Sequence, residues 1–560
     1  MKNEPLDMVD LLRRASSGTR REFLRRAALA GLALPALGAL EAACSPAGTA
    51  PAASGGVAPK GVAKRGGTFV TLGHQTVTSL SPDDAGPDVF FVLIANIHEG
   101  LLWMDHDYKL QPRLAESYEA AADGKTWTFK LRKNVKWQDG EPFTAADVKY
   151  NVEWIRDPKN ASTGQPLFKD VTGVDTPDEH TAIINLSVSS APFAALAATR
   201  LLVPKHVHEK IGEKQYKQQP VGTGPYKLKE WKPAEYCLLE AYDGYWDGRP
   251  NIDLWRQNIV PEVAARAVAL QGGQADSVTW PLTPEDTLRF MKDPGFQALR
   301  GPGTAVNHFP MNNDRPLFSD KRVRQAMMYA IDRDALVKEL MKGLAVKATG
   351  NLSPAIGKFY EPNVTQYPQD PAKAKALLKQ AGWTPGPDGI LANAAGTPFS
   401  FTCLVFTGDT LRRSEAEVVQ HDLKAIGIDM KLRDTEPTTA ISTARKGDYD
   451  MALWNWTYGG GGGDPDARTT LGSTGANNFS HWKNAKADEL LDRGAAEVDP
   501  AKRKQIYSDL QKLFTEEVPF LYVMFWESIV LFNKRIKGLP ASARNLLALY
   551  CEFQKLWIEK

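Results

Sequence analysis

Along the chain, hydrophobic positions change period in a regular way. In Thr126-Trp127-Thr128-Phe129-Lys130-Leu131 they fall at 127, 129 and 131, the alternation of a strand with one buried face. Trp137-Gln138-Asp139-Gly140 is a turn signal. Thr144 then reads as an N-cap with Asp147 three residues on, and Val148, Val152 and Ile155 share one face of the helix that follows. Three more helices follow the same logic. Asp320 precedes Val323, Ala326, Met327, Ala330 and Ile331, spaced i, i+3, i+4, i+7, i+8. Asp370-Pro371 caps a run of Ala374, Leu377, Leu378 and Ala381 that Gly382 ends, and Asp499-Pro500 opens a helix carrying Ile506, Leu510, Leu513 and Phe514. Val518–Phe525 is a continuous apolar run around Pro519, predicted as a buried strand, and Trp454, Trp456 and Tyr458 alternate as on one strand face. Strands and helices interleave throughout, which predicts an α/β or α+β fold with sheets covered by helices.

The 560 residues are too many for a single core and imply two to four domains. Beyond residue 44 the chain has 61 residues of each charge and a formal net charge of zero. That argues against nucleic acid as a partner, because phosphate binding requires a basic stripe. The four cysteines, Cys44, Cys237, Cys403 and Cys551, form no CxxC, so a zinc or redox motif is not expected. If Cys44 is modified, at most one disulfide remains possible, and the favoured reading is three reduced, buried thiols.

Residues 1–44 read as an export signal. Thr19-Arg20-Arg21-Glu22-Phe23-Leu24-Arg25 is a basic n-region, followed by an apolar stretch from Ala27 to Leu40 whose 14 residues are too few to span a bilayer. The pair Arg20-Arg21 resembles the twin-arginine export signal, with Arg25 in place of the usual lysine. Leu40-Glu41-Ala42-Ala43-Cys44 resembles a bacterial lipobox, which implies lipidation at Cys44, although Glu41 stands where leucine is preferred. Residues 45–65, rich in Ala, Ser, Gly and Pro, cannot bury a core and read as a flexible tether.

Several blocks, in order, resemble the family 5 extracellular solute-binding proteins of ABC importers, the oligopeptide- and dipeptide-binding class. They include Leu114–Tyr118, Asp123–Arg132, Val135–Val148, Val221-Gly222-Thr223-Gly224-Pro225-Tyr226, Tyr245-Trp246, Gly273–Asp276 and Arg322–Arg333. The resemblance runs from about residue 66 to the C-terminus. It implies a class II periplasmic-binding-protein-like fold of two hinged lobes. Lobe one would combine 66–108, 205–306 and 520–560, lobe two would be 307–519, and 109–204 would be a small additional domain. The crossings would lie near Asn307–Asn313 and Val518–Trp526. A monomer closing on a small solute and delivering it to permease and ATPase subunits is the implied function, with no cofactor.

In that family the loop Trp454–Asp466 lies in the cleft, and an aspartate three residues before Asp-Pro grips a peptide's α-amino group. Gly461 occupies that position here. A buried ammonium without a counter-charge is costly. Asp464, Asp466 or Asp409 could substitute; alternatively the solute has no free amine, and the aromatic face of Trp454, Trp456 and Tyr458 suits a sugar ring or an apolar side chain. Trp280, Asn312 and Trp526 are further candidates, since they sit beside expected crossings or cleft loops. Buried packing is the competing reading of each aromatic.

No GxSxG, HExxH or P-loop occurs. His206-Val207-His208 is expected to be surface structure rather than half of a metal site. The rival from another class is a secreted glycoside hydrolase with two facing acids. A solute sensor built from the same binding module is a third reading, and an oligosaccharide binder is the alternative within the family.

Overall fold

The computed structural model describes residues 63–83, 90–195, 200–279, 282–457, 463–540 and 552–559. Cys44, Arg20, Arg21, Tyr458, Trp280, Gly461 and Cys551 lie outside them.

The central feature is a nine-stranded mixed sheet. Its strands are β1 (Thr68–Gly73), β2 (Tyr226–Lys232), β3 (Tyr236–Ala241), β4 (Leu254–Ile259), β5 (Ser277–Val278), β6 (Phe296–Pro310), β7 (Ala345–Lys347), β8 (Trp454–Trp456) and β9 (Phe520–Asn533). The order is β8-β6-β9-β5-β1-β4-β3-β2, with β7 also paired to β9. β1 runs parallel to β4 and β5; the other pairings are antiparallel.

Two strands carry the chain between two cores. Leu299 of β6 and Val530 and Phe532 of β9 belong to a core with Phe69, Trp255 and Cys237. Val306 and Phe309 of β6 and Phe520 to Phe525 of β9 belong to another, with Met327, Val419 and Phe514. The switch falls where the β6–β9 register breaks, between Pro302 and Val306, opposite Phe525–Glu527. That is slightly upstream of the expected crossing at 307–313. The physical reason is the bulge: Gly303 lies against the Trp526 carbonyl, where a Cβ would collide with backbone. β9 is also longer than the expected 518–525. Val518 closes the preceding helix in a left-handed conformation, Pro519 follows, and the strand then continues through Glu527 and Ser528.

A separate four-stranded antiparallel sheet is formed by Ala115–Ala120, Thr126–Leu131, Thr181–Leu186 and Val171–Asp178, in that spatial order. Trp127, Phe129 and Leu131 are buried on one face, as their period requires. They pack in a core with Val148, Val152 and Ile155 of α1 (Ala145–Arg156). The Asp147 carboxylate accepts from the Thr144 N–H at 3.0 Å, closing the first turn.

A helix the sequence reading does not single out, α2, is Pro284–Lys292. Two anticipated helices follow, α3 at Lys321–Ala330 and α4 at Pro371–Gln380, with Asp320 and Asp370 capping them through backbone N–H groups. Ile331, expected on the face of α3, is already extended. α5 (Thr410–Ala425), α6 (Ala485–Ala496) and α7 (Pro500–Glu517) complete the set used below, α7 being capped by Asp499. α5 lies over a parallel three-stranded sheet whose central strand is Ser400–Phe406. Among the described residues no helix is long and apolar enough to cross a membrane.

The Val221–Tyr226 motif acquires a packing explanation. Gly222 and Gly224 lie directly on the backbone of Asn96 and Ile97, and any side chain there would strike carbonyl oxygens.

Candidate solute-binding site

Beside β9 a small cleft of about 40 Å³ opens where the core of Met327, Val419 and Phe514 meets a further apolar cluster built on Leu72, Leu270 and Phe290. Val278 of β5, Leu282 just before α2, and Pro284 and Thr287 of α2 form one wall; Met341, Leu344 and Leu411 form the other. Trp526, Glu527, Ile529 and Leu531 of β9 also line it. The walls are predominantly apolar. Glu527, the one carboxylate among them, is engaged by Arg300, whose Nη2 donates at 2.9 Å.

Leu411 and Arg412 are positioned by the first turn of α5. Asp409 caps it, accepting from the Arg412 N–H at 3.0 Å and pairing with the same residue's guanidinium. That guanidinium stands 5.6 Å from the ring centres of both Phe406 and Trp526. One turn on, Glu415 points inward with Ala416, Val419 and Leu423 and is fully buried. Asn307 of β6 donates to it at 2.7 Å, and Asn455 of β8 donates to Asn307 at 2.6 Å. Three elements are thus joined by one buried polar chain next to the strand crossing.

Burial pushes the Glu415 carboxyl up to about 7; the Asn307 hydrogen bond and the Arg412 charge pull it down, and the Asp409 charge pushes it further up. A carboxyl raised on folding stabilises the native state only while protonated. Its contribution is complete below the unfolded value near 4.3 and is lost as pH rises through about 7, at about 1.4 kcal/mol per unit. Glu415→Gln is therefore expected to flatten the decline of melting temperature between pH 5 and 8, and to be the more stable protein at pH 8. Parallel melting profiles for the two proteins would contradict this.

The residues singled out from the sequence are distributed unevenly. Trp526 lines the cleft. Trp454 is 2% exposed and packs on Phe406, Phe479 and His308 as core, while Trp456, on the same strand face, is half-buried against Phe479. Asn312 is buried and committed to backbone, donating to Gly447 and Tyr449 carbonyls at 2.9 and 3.1 Å. Asp464 is buried against Arg503, which donates to both its oxygens at 2.6 and 2.7 Å. Asp466 is likewise paired with Arg468 at 2.8 Å. All three acids that could replace an amine-gripping aspartate at Gly461 are therefore matched to arginines.

His206 pairs with Asp139 at 2.7 Å. His208, expected at the surface, is instead buried between Tyr150 and Glu213, because the 205–216 helix turns it onto α1. No group of three or more metal-ligating side chains occurs among the described residues. Cys237 and Cys403 are free and buried, and burial pushes the Cys237 thiol up to about 12, so it is inert.

Residues 109–478 match the family model of bacterial extracellular solute-binding proteins, family 5 Middle. The chain belongs to the family 5 extracellular solute-binding proteins. Members of family 5 are solute-binding components of ABC importers and take peptides, glutathione and other solutes. Relatives include the glutathione-binding protein GsiB of Shigella flexneri, 28% identical over 474 residues that cover 82% of this chain and 89% of that protein. Protein XP55 of Streptomyces lividans is 31% identical over 454 residues, 80% of this chain and 81% of that one. Among solved structures, the binding protein AgaA of A. tumefaciens in complex with agropinic acid has a TM-score of 0.76 at 27% identity, covering 88% of this chain and 99% of that one. The oligopeptide-binding protein AppA of Bacillus subtilis in complex with a nonapeptide shares the fold, with a TM-score of 0.78 at 24% identity, 89% of this chain and all of that one.

Leu411, Met341, Arg412 and Glu415 were not singled out from the sequence. Glu415 did leave a signal, an acid within the apolar stripe Ala416, Val419 and Leu423. Trp526 apart, the cleft residues left none, since they come from separate segments of the chain.

Proposed function

We propose that this family 5 protein is a lipid-anchored, monomeric receptor that closes two lobes on a solute lacking a free α-amino group, and performs no chemistry on it. Lobe one would comprise 66–108, 205–306 and 520–560, lobe two 307–519, with 109–204 as the additional domain. The separate hydrophobic cores and the two strands linking them support that division. Hinged closure encloses a ligand, and only the ligand's better affinity for the closed form drives it.

The observation that carries the solute preference is the pairing of Asp409, Asp464 and Asp466 with arginines, together with glycine at 461. A free ammonium in the cleft would meet no uncommitted carboxylate among these and would carry a desolvation penalty. Family relatives that bind glutathione or agropinic acid support a range of solutes wider than ordinary peptides. Of two peptide pools differing only in N-terminal acetylation, the acetylated pool is expected to raise the melting temperature more, as preferential binding to the native state requires. A larger shift with the free-amine pool would overturn the preference.

The Arg20-Arg21 signal and Cys44 support export followed by anchoring on the outer face of the membrane. Cys44→Ala is expected to release the protein into the soluble exported fraction. Full membrane retention of the variant, measured by fractionation, would remove the anchor from this account.

A further inference from the structure

We infer that the additional domain and the C-terminal end of α6 form a latch, away from the cleft, that biases the solute-free protein towards its closed form. This rests on the two-lobed reading above and adds to it: part of the drive to close is built into the chain and is the same for every solute.

The first support is how α6 ends. A helix leaves its last four carbonyls without helical partners. In α6 these belong to Arg493, Gly494, Ala495 and Ala496. The Arg493 carbonyl accepts from the Glu497 N–H at 2.9 Å and the Gly494 carbonyl from Arg503 Nε at 2.8 Å, all within the proposed lobe two. The other two carbonyls are satisfied from the additional domain. The Ala191 N–H donates to Ala495 and the Ser189 hydroxyl to Ala496, each at 2.8 Å. Beside them Gly124 is buried, and a Cβ there would strike Ser189 Oγ and press on Val498 Cγ1.

The two sides are moored to different bodies. Leu490 and Leu491 of α6 belong to the core of Met327 and Phe514. Phe193, two residues beyond Ala191, belongs to the core of Trp127 and Val148. That domain is tied in turn to the large sheet, since Gln138 Nε2 donates to the Gly224 and Tyr226 carbonyls at 3.0 and 2.7 Å. Rotation about β6 and β9 would therefore carry Ser189 and Ala191 away from α6. The contact is also one that can part cheaply. Ala496 and Val498 are exposed, so water can replace each hydrogen bond as the lobes open.

A second contact lies on the same flank. Tyr108 has a left-handed φ of 57°, uncommon for a bulky residue, and stands against Gly463, where a Cβ would lie 2.6 Å from that of Tyr108. Gly463 precedes Asp464, and the Arg503 side chain that holds Asp464 also holds the Gly494 carbonyl. One buried ion pair thus backs both contacts, which gives Asp464 a role other than gripping solute.

The test is small-angle scattering of the full-length exported protein, freed of co-purified solute by dialysis in mild denaturant. Ser189→Asp sets an anion against the negative end of α6, whereas Ser189→Asn, of the same size, keeps a donor there. Ser189→Asp should move the closed-to-open ratio about two- to tenfold towards open, the scale of one net hydrogen bond, and so enlarge the radius of gyration, while Ser189→Asn stays near wild type. Tyr108→Gly, which suits the left-handed backbone, should enlarge the radius without lowering the melting temperature. Circular dichroism identifies any variant that fails to fold, and the remaining site then decides. Wild-type radii in the folded Ser189→Asp and Tyr108→Gly proteins would overturn the latch, as would equal enlargement by Ser189→Asp and Ser189→Asn. Solute capture is scored separately, by the melting shift with the acetylated peptide pool. A shift in every protein with unchanged radii overturns the latch and leaves capture standing. Enlargement in Ser189→Asp alone of the Ser189 pair, with no shift in any protein, supports the latch and counts against capture of such peptides.

Discussion

Asp464→Ala should lower the free energy of unfolding by about 3–5 kcal/mol, among the largest effects expected of a single substitution here. The carboxylate receives two hydrogen bonds from Arg503, and both side chains are more than nine-tenths buried. Burial alone would lower the Arg503 pKa, but the hydrogen bonds and charge of Asp464 outweigh it and raise it. Removing the acid leaves a guanidinium enclosed by Phe359 and Tyr507, with the Gly494 carbonyl as its remaining neutral partner. Removing both partners is a different case, because no charge is stranded. Asp464→Leu combined with Arg503→Met should recover most of the loss. Urea unfolding of the wild type, Asp464→Ala and the double variant checks this, and a double variant as unstable as Asp464→Ala would contradict it.

The second large effect concerns the attachment of the four-stranded sheet. Glu99, 3% exposed, accepts from Arg113 Nε at 2.6 Å, Tyr245 OH at 2.8 Å and Trp246 Nε1 at 2.9 Å. Arg113 stands two residues before the first strand of that sheet, whereas Tyr245 and Trp246 follow the β2–β3 hairpin of the large sheet. One carboxylate therefore gathers donors from both sides of the joint. Glu99→Ala leaves Arg113 without its buried counter-charge and two ring donors without their acceptor, at an expected cost of about 3–5 kcal/mol. Glu99→Gln, which keeps an acceptor but not the charge, should fall between. Hydrogen exchange should quicken in residues 115–186 of the alanine variant before the large sheet is affected. Uniform acceleration throughout the chain would contradict a local role at the joint.

Much of this architecture is legible in the sequence where a local rule decides it. Asp320, Asp370 and Asp499 cap their helices because a short carboxylate before an apolar helical stripe has nearby N–H groups to accept from. Trp127, Phe129 and Leu131 are buried together because strand geometry leaves no alternative. Legibility fails where chain-distant pairings decide. The second half of β9 passes through Glu527 and Ser528, polar residues that conceal a strand paired with β6. Asp464 looked like a candidate for the solute, yet Arg503, 39 residues away, claims both its oxygens. Asn312 beside a crossing looked similar, but it holds the Gly447–Tyr449 turn. Trp454 illustrates the limit of periodicity. Its alternation with Trp456 correctly gives a shared strand face, and that face is packed on Phe479. The cleft residues Val278, Leu282, Met341, Leu344, Leu411 and Ile529 share no sequence pattern at all, since only the folded topology brings them together.

Small-angle scattering of the purified protein, free and saturated with its solute, followed by extraction and weighing of that solute by mass spectrometry, probes the capture mechanism most directly. The account predicts a smaller radius of gyration in the loaded protein and a solute recovered with its mass unchanged. Identical scattering curves at saturation, or a solute returned cleaved or otherwise altered, would contradict it.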